Sequence, residues 1–350
     1  MPDANVEVLR MASDRVEDIS PVAAACPSYS SILEEHNVGA KQRQSRIDLL
    51  KKIAKLEGER MGGKCAVLSL VAKEGALGAG LESSDIAVLG NLLGSIGDAD
   101  VLCLIIHSPG GDGTCVEKFV ALCRAQCSKF HVAIPYRAKS AATLIALGAD
   151  DIIMGHSSEL GPIDAQVAAV AGGITRYLSA QSFIDARSSL LQQYAQAKAK
   201  NEDVQPILQM LATLDLPFIE ECQRMMDFGR DVAKKLLLGH MFKKRREADK
   251  MVANVVEKLS SVKMHKVHGR MIDGGTARVE LGLKVSRLAK DDALWQAIWE
   301  YYTRADIALS SMRSPKMFET IHEVLAAVSY THLRAHETPE HLVCRLLLEK

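Results

Sequence analysis

The chain has 350 residues, enough for one large domain or two ordinary ones, and at 48% hydrophobic and 25% charged it carries ample material for a core. Lysine plus arginine and aspartate plus glutamate each number 43, so the formal charge is zero and no global field favours nucleic acid or an anionic membrane. Neither a signal peptide nor a membrane span is expected: Glu7, Asp14, Glu17 and Asp18 interrupt the start, and no apolar run approaches the roughly 18 residues a span requires.

Residues 1–60 are polar, and Lys41 to Gly58 carries Ile47, Leu49, Leu50, Ile53 and Leu56 at helical spacing, which predicts an amphipathic N-terminal arm. A strand is expected at Cys65–Val71, then a glycine-rich loop through Gly80 and a helix started at Ser83–Ser84–Asp85. Three further apolar strands follow, at Val101–Ile106, Phe130–Pro135 and Asp151–Met154, separated by helices from Thr114 to Cys127 and from Ala141 to Leu147. Strands that are apolar throughout, alternating with helices, predict an α/β domain with a parallel sheet covered on both faces. Residues 180–260 are expected to be a helical insertion, with Gln192–Asn201 exposed; mixed character returns at His265–Val285, and 291–326 is expected to be helical again. Cys115, Cys123 and Cys127 fall on one side of a predicted helix behind Cys103, and no CxxC occurs, so the cysteines are taken as small buried hydrophobes of a reduced, cytoplasmic protein; no metal or cofactor is expected.

Three turns carry the candidate chemistry. The first, Ser108–Pro109–Gly110–Gly111–Asp112–Gly113, ends a buried strand, and its glycines leave backbone N–H groups free to meet an anion. Each N–H well aimed at a developing oxyanion lowers a barrier by about 3 kcal/mol. In the second, Ser140 stands between a strand and an apolar helix; it can serve as an N-cap or as a nucleophile, with the Ala141 N–H as a second oxyanion donor. The third, Gly155 to Asp164, sets His156, Glu159 and Asp164 at the edge where parallel strands end and ligands tend to bind. Convergence of three such loops points to one active site.

The strings IIHSPGGDG, AKSAATLIALGADDIIMG and SELGPIDAQ resemble the serine dehydrogenase proteinase family, a branch of the Clp-protease/crotonase superfamily akin to signal peptide peptidase A. HKVHGRMIDGGTARVELGLKV resembles that family's closing segment, and the likeness spans roughly residues 60–285. The resemblance implies stacked ββα units, homo-oligomeric assembly, and peptide hydrolysis by a serine, an aspartate and a histidine in that chain order. Carried over, the nucleophile is Ser140, the oxyanion donors are Gly111 and Ala141, the acid is Asp164 with Asp151 behind it, and the base is His268 with His265, His156 and Lys139 as rivals. The histidine that Clp proteases themselves place near the Asp164 position is absent, and Lys139 would be the base only in the manner of signal peptide peptidases. Polypeptide is the implied substrate, and an ATPase partner stays open.

The expected division is an arm at 1–60, a catalytic domain at 61–290 containing the insertion, and a helical C-terminal extension at 291–327. Residues 328–350 are different in kind: VSYTHLRAHET resembles a translated transposase sequencing adapter and LVCRLLLEK the primer joined to it, which marks this tail as non-native. Two functions compete with the peptidase: a crotonase-like acyl-thioester enzyme using the same oxyanion loop, and an inactive oligomeric scaffold of the same fold.

Overall fold

In the computed structural model, residues 40–171 and 174–326 are described; the N-terminal acidic stretch and the adapter-like tail lie outside them. The first helix, Ala40–Met61, leads into β1 (Cys65–Ala72). A loop and the helix Asp85–Ile96 connect β1 to β2 (Ala99–His107), and the helix Val116–Ala125 connects β2 to β3 (Cys127–Ile134). Then come β4 (Arg137–Ala138), the helix Ala141–Leu147, β5 (Asp151–Met154) and β6 (Glu159–Leu160). A hairpin, β7 (Gln166–Ala171) and β8 (Ile174–Ser179), precedes the helices Ala180–Ala199, Gln205–Ala212, Leu216–Gly239 and Ala248–Ser260. The described chain closes with β9 (Ile272–Asp273), β10 (Val285–Arg287), the helix Ala293–Met312, β11 (Lys316–Glu319) and β12 (Val324–Ala326).

The main sheet has seven strands in the order β10-β5-β3-β2-β1-β11-β12. Its five strands from β10 to β1 are parallel, whereas β11 runs antiparallel to β1 and β12 antiparallel to β11. Alternate residues of the same strands feed two cores. Leu68, Leu70, Leu102, Leu104, Phe130 and Val132 pack with the helices on one face. Val67, Val71, Cys103, Ile105 and Ala133 pack beneath Ala40–Met61 and Ala293–Met312 on the other. Double coverage explains why these strands are largely apolar on both faces rather than at every second position. The fold is the expected α/β type. β3, β4 and the helix Ala141–Leu147 form one ββα unit, and β5 and β6 begin the next.

The far end of the chain differs from its expected all-helical character. Ser314 and Pro315 follow the helix Ala293–Met312, and the chain then returns to the sheet as β11, with Ala72 opposite Lys316 and Ser69 opposite Glu319. Buried polar partners make this return possible. Glu319 accepts two hydrogen bonds from the Arg46 guanidinium at 2.8 and 3.0 Å and a third from Tyr301 at 2.9 Å. Removing one member of such a buried pair costs about 3–5 kcal/mol, because the other charge is left unpaired. The arm helix and the last strands are thereby held on the same sheet. Among the described residues no helix is long and apolar enough to cross a membrane.

Candidate active site

A small second sheet, ordered β4-β6-β9, organises the candidate residues. Ser140 follows β4 by two positions, Asp164 follows β6 by four, and His268 precedes β9 by four. β4 and β6 pair in parallel and β6 and β9 antiparallel, so residues far apart in sequence are brought to one end of this sheet. Thr143 fastens the arrangement one helical turn beyond Ser140. Its hydroxyl donates to the Ala138 carbonyl at 2.7 Å and accepts from the Gly161 N–H at 3.2 Å.

Ser140 has φ 49° and ψ −117°, and its side chain caps nothing. A non-glycine residue held there is strained, and such strain persists only where the surroundings enforce it. Here enforcement comes from the neighbouring turn. The Ser108 N–H donates to the Arg137 carbonyl at 3.0 Å, and the Lys139 N–H donates to the Ser108 carbonyl at 3.1 Å. Of the two sequence readings for Ser140, helix cap and nucleophile, the first is not realised, since its side chain makes no cap hydrogen bond.

The glycine turn makes an isolated parallel β-bridge with Leu81 at Gly111 and lies beside the Ser140 turn. The Leu81 N–H donates to the Gly110 carbonyl at 2.7 Å and the Asp112 N–H donates to the Leu81 carbonyl at 2.8 Å. Because those two bonds flank Gly111, its own N–H is directed to the opposite edge, away from Leu81. Gly110 has φ +100°, and a methyl group there would sit 2.7 Å from both the Lys139 carbonyl oxygen and Ser140 Cβ. Only glycine allows so close an approach. Burial alone would raise the Asp112 carboxyl, but hydrogen bonds from Thr114 and Ser83 outweigh it and hold its pKa below the usual carboxylate range.

Asp164 is buried and faces His268 Nδ1 at 2.7 Å. With Nδ1–H donated to the carboxylate, Nε2 is the nitrogen left to accept a proton. The segment around Asp164 is pinned by the helical insertion: the Ile163 N–H donates to the Leu259 carbonyl at 3.0 Å, and the Ala165 N–H reaches Met226 Sδ at 3.3 Å. Gly111, Ser140, Ala141 and His268 all line one cavity of about 410 Å³, whose remaining wall includes Leu144, Ile163, Tyr177, Met225 and Phe228.

The rival residues are occupied elsewhere. Lys139 Nζ lies 2.9 Å from Glu159 and donates to the carbonyls of Leu160 and Arg270, away from the cavity lining. Asp151 pairs with Arg60 at 3.2 Å and accepts from Ser286 at 2.6 Å. His156 packs against Trp295 and Trp299, with ring centres 5.8 and 6.5 Å apart. His265 is buried, with its Nε2 2.6 Å from the Lys258 carbonyl oxygen.

Residues 88–212 match the family of ClpP-like SDH-type serine proteinases. Over this segment, which is less than half of the chain, the sequence is similar to that family. It is also similar to two uncharacterised proteins of Methanocaldococcus jannaschii, MJ1495 and MJ0137, with 42% identity to each over 64 residues. That stretch is 18% of this chain and 22% of each relative, so the match spans about a fifth of the curated relatives' length. Among solved structures, a mutant of the 1510-N membrane-bound stomatin-specific protease is 14% identical, with a TM-score of 0.25 over 64% of this chain and 96% of that one. The sequence reading missed the cavity wall supplied by Tyr177, Met225 and Phe228. Tyr177 lies on the hairpin strand β8, and Met225 and Phe228 on the helix Leu216–Gly239, where they resemble ordinary amphipathic spacing; only their exposure as large apolar side chains marks them.

Proposed function

We propose that the chain is a serine endopeptidase using Ser140 as nucleophile, His268 as general base and Asp164 as the acid that orients it, with Gly111 and Ala141 N–H as the oxyanion hole. The observation that carries this reading is the 2.7 Å Asp164–His268 contact beside the cavity that Ser140, Gly111 and Ala141 also line. His268 Nε2 takes the hydroxyl proton as Ser140 Oγ bonds to the substrate carbonyl carbon, and the carbonyl oxygen becomes the anion held by the two N–H groups. The imidazolium then gives its proton to the departing amine, and water repeats the sequence on the acyl-enzyme. Asp164 orients the ring and stabilises the imidazolium.

The substrate of this reading is polypeptide, and the apolar wall of Leu144, Ile163, Met225 and Phe228 supports one offering an apolar side chain. Homo-oligomeric assembly, a cytoplasmic location and the division into arm, catalytic domain with insertion, and extension belong to the same proposal. The thioester and scaffold alternatives draw no support from a serine held in strain beside a histidine–carboxylate pair. A fluorophosphonate probe tests the reading: the protein labels, and Ser140→Ala abolishes labelling and peptide hydrolysis with the melting temperature retained. Equal labelling of the variant refutes the assignment.

A further inference from the structure

The loop between β1 and the helix Asp85–Ile96 is fastened at its end by a residue from the other end of the chain. Lys316, on β11, is buried, and its ammonium donates to the Gly80 carbonyl at 2.7 Å and to Asp85 Oδ2 at 2.8 Å. Asp85 is itself buried and also accepts the Glu82 N–H at 2.8 Å. Along β11 the next residue on the same side is Phe318, part of the core shared with Leu68 and Leu70. An apolar side chain would therefore suit the Lys316 position, and burying an ammonium there is unfavourable unless every donor is used.

We propose that Lys316 is a positioning residue for the oxyanion hole. It acts through Gly80 and Leu81, and the inference rests on the peptidase reading above. Gly80 is fixed by Lys316, and the next residue, Leu81, makes the two hydrogen bonds that flank Gly111. There is no slack in this contact: a Cβ on Gly111 would collide with the Leu81 backbone, and one on Gly80 would already touch the Gly110 carbonyl oxygen and Gly111 Cα at 3.5 Å. A shift of the Gly80–Asp85 segment thus carries Leu81, and with it the direction of the Gly111 N–H. The other end of the loop is held independently, by Lys73 N–H on the Pro315 carbonyl at 2.7 Å and by the Lys73–Asp306 pair at 2.8 Å. Loss of Lys316 therefore loosens the part next to the glycine turn and leaves the rest of the loop attached.

The test is saturation kinetics of fluorophosphonate labelling on the full chain, separating the binding constant KI from the bond-forming rate kinact. Lys316→Met keeps length and packing and removes the donor; we expect kinact to fall by roughly ten- to a hundredfold with KI within about threefold. Because that variant leaves Asp85 buried without its partner, the double variant Asp85→Asn/Lys316→Met is measured beside it. The double variant recovers melting temperature, yet its kinact stays low because the Gly80 carbonyl still lacks its donor. Recovery of kinact along with stability, or wild-type kinact in either variant, overturns the role of Lys316. Ser140→Ala is run in parallel: labelling that survives it overturns the peptidase reading itself, whereas a silent Ser140→Ala beside wild-type kinact in the double variant overturns only the inference about Lys316.

Discussion

Replacing Gly110 by alanine adds one methyl group at the point where the glycine turn and the Ser140 turn meet. The new Cβ would lie 2.7 Å from the Lys139 carbonyl oxygen, 2.7 Å from Ser140 Cβ and 3.2 Å from the Ala141 nitrogen. Ordinary contacts between such atoms begin near 3.5 Å, so the two segments must separate by about 1 Å. Neither can give easily, since Gly110 is bonded to Leu81 and the Ser140 turn to Ser108. A displacement of that size between nucleophile and oxyanion donor lowers turnover by roughly a hundredfold. The φ of +100° adds backbone strain of about 1–3 kcal/mol. In a chain this long that lowers the melting temperature by only a few degrees. Gly94→Ala is the control, because that glycine sits in the helix Asp85–Ile96 with open space around it and gains about 0.5–1 kcal/mol of helix stability on substitution. Fluorophosphonate labelling and thermal melts of the two variants decide the matter. Labelling of Gly110→Ala within threefold of wild type would refute the close-approach argument.

His268→Ala should lower turnover on a peptide substrate by at least about a hundredfold, the usual cost of losing a general base. Lys139→Ala should cost less than about tenfold, since Lys139 is committed to Glu159; the reverse ordering of the two turnover numbers would move the base to Lys139. His107 is buried against Tyr136 and Tyr302, and burial pushes its pKa down to about 4, against the hydrogen bond it shares with the Arg137 carbonyl. A depressed histidine stays neutral in the fold while the unfolded chain takes up a proton, so its contribution is intact above pH 6.5 and is lost as pH falls towards 4. The loss amounts to about 3 kcal/mol by pH 4. Denaturant titrations of wild type and His107→Gln across that window should show a flatter pH slope in the variant; parallel slopes would contradict the assignment. Glu57, disfavoured by burial but held below the usual carboxylate range by His131 and Arg60, adds a loss of the same sign at lower pH.

The α/β core was readable because its strands are buried on both faces. Val101–Ile106 is an unbroken apolar run ended by the glycine turn, and the serine turn follows β3 and the short β4. Neither the pairing of Asp164 with His268 nor the binding partner of Lys139 can be read from spacing, since both depend on how β6 and β9 are registered. β11 escaped notice for a related reason. Lys316 and Glu319 bracket Met317 and Phe318, a pattern that looks like a solvent-facing helix end, and both charges are buried only because Asp85 and Arg46 await them from more than 200 residues away. The hairpin β7–β8 escaped as well: its alanine-rich strand Gln166–Ala171 lacks the bulky alternation that marks a half-buried strand.

The pairing of β1 with β11 also governs when the site can exist during synthesis. Translation delivers β1, the glycine turn, Ser140 and Asp164 long before Lys316 and β11 emerge. Until then β1 is an open edge, and nothing from the C-terminal side holds the Gly80–Asp85 loop against the glycine turn. On the reading proposed above, a growing chain carries Ser140 before the Gly80–Asp85 loop is fastened, and the anion pocket is finished only when β11 joins the sheet. On that same peptidase reading, a site that waits for β11 keeps a growing chain from acting before its sheet is complete.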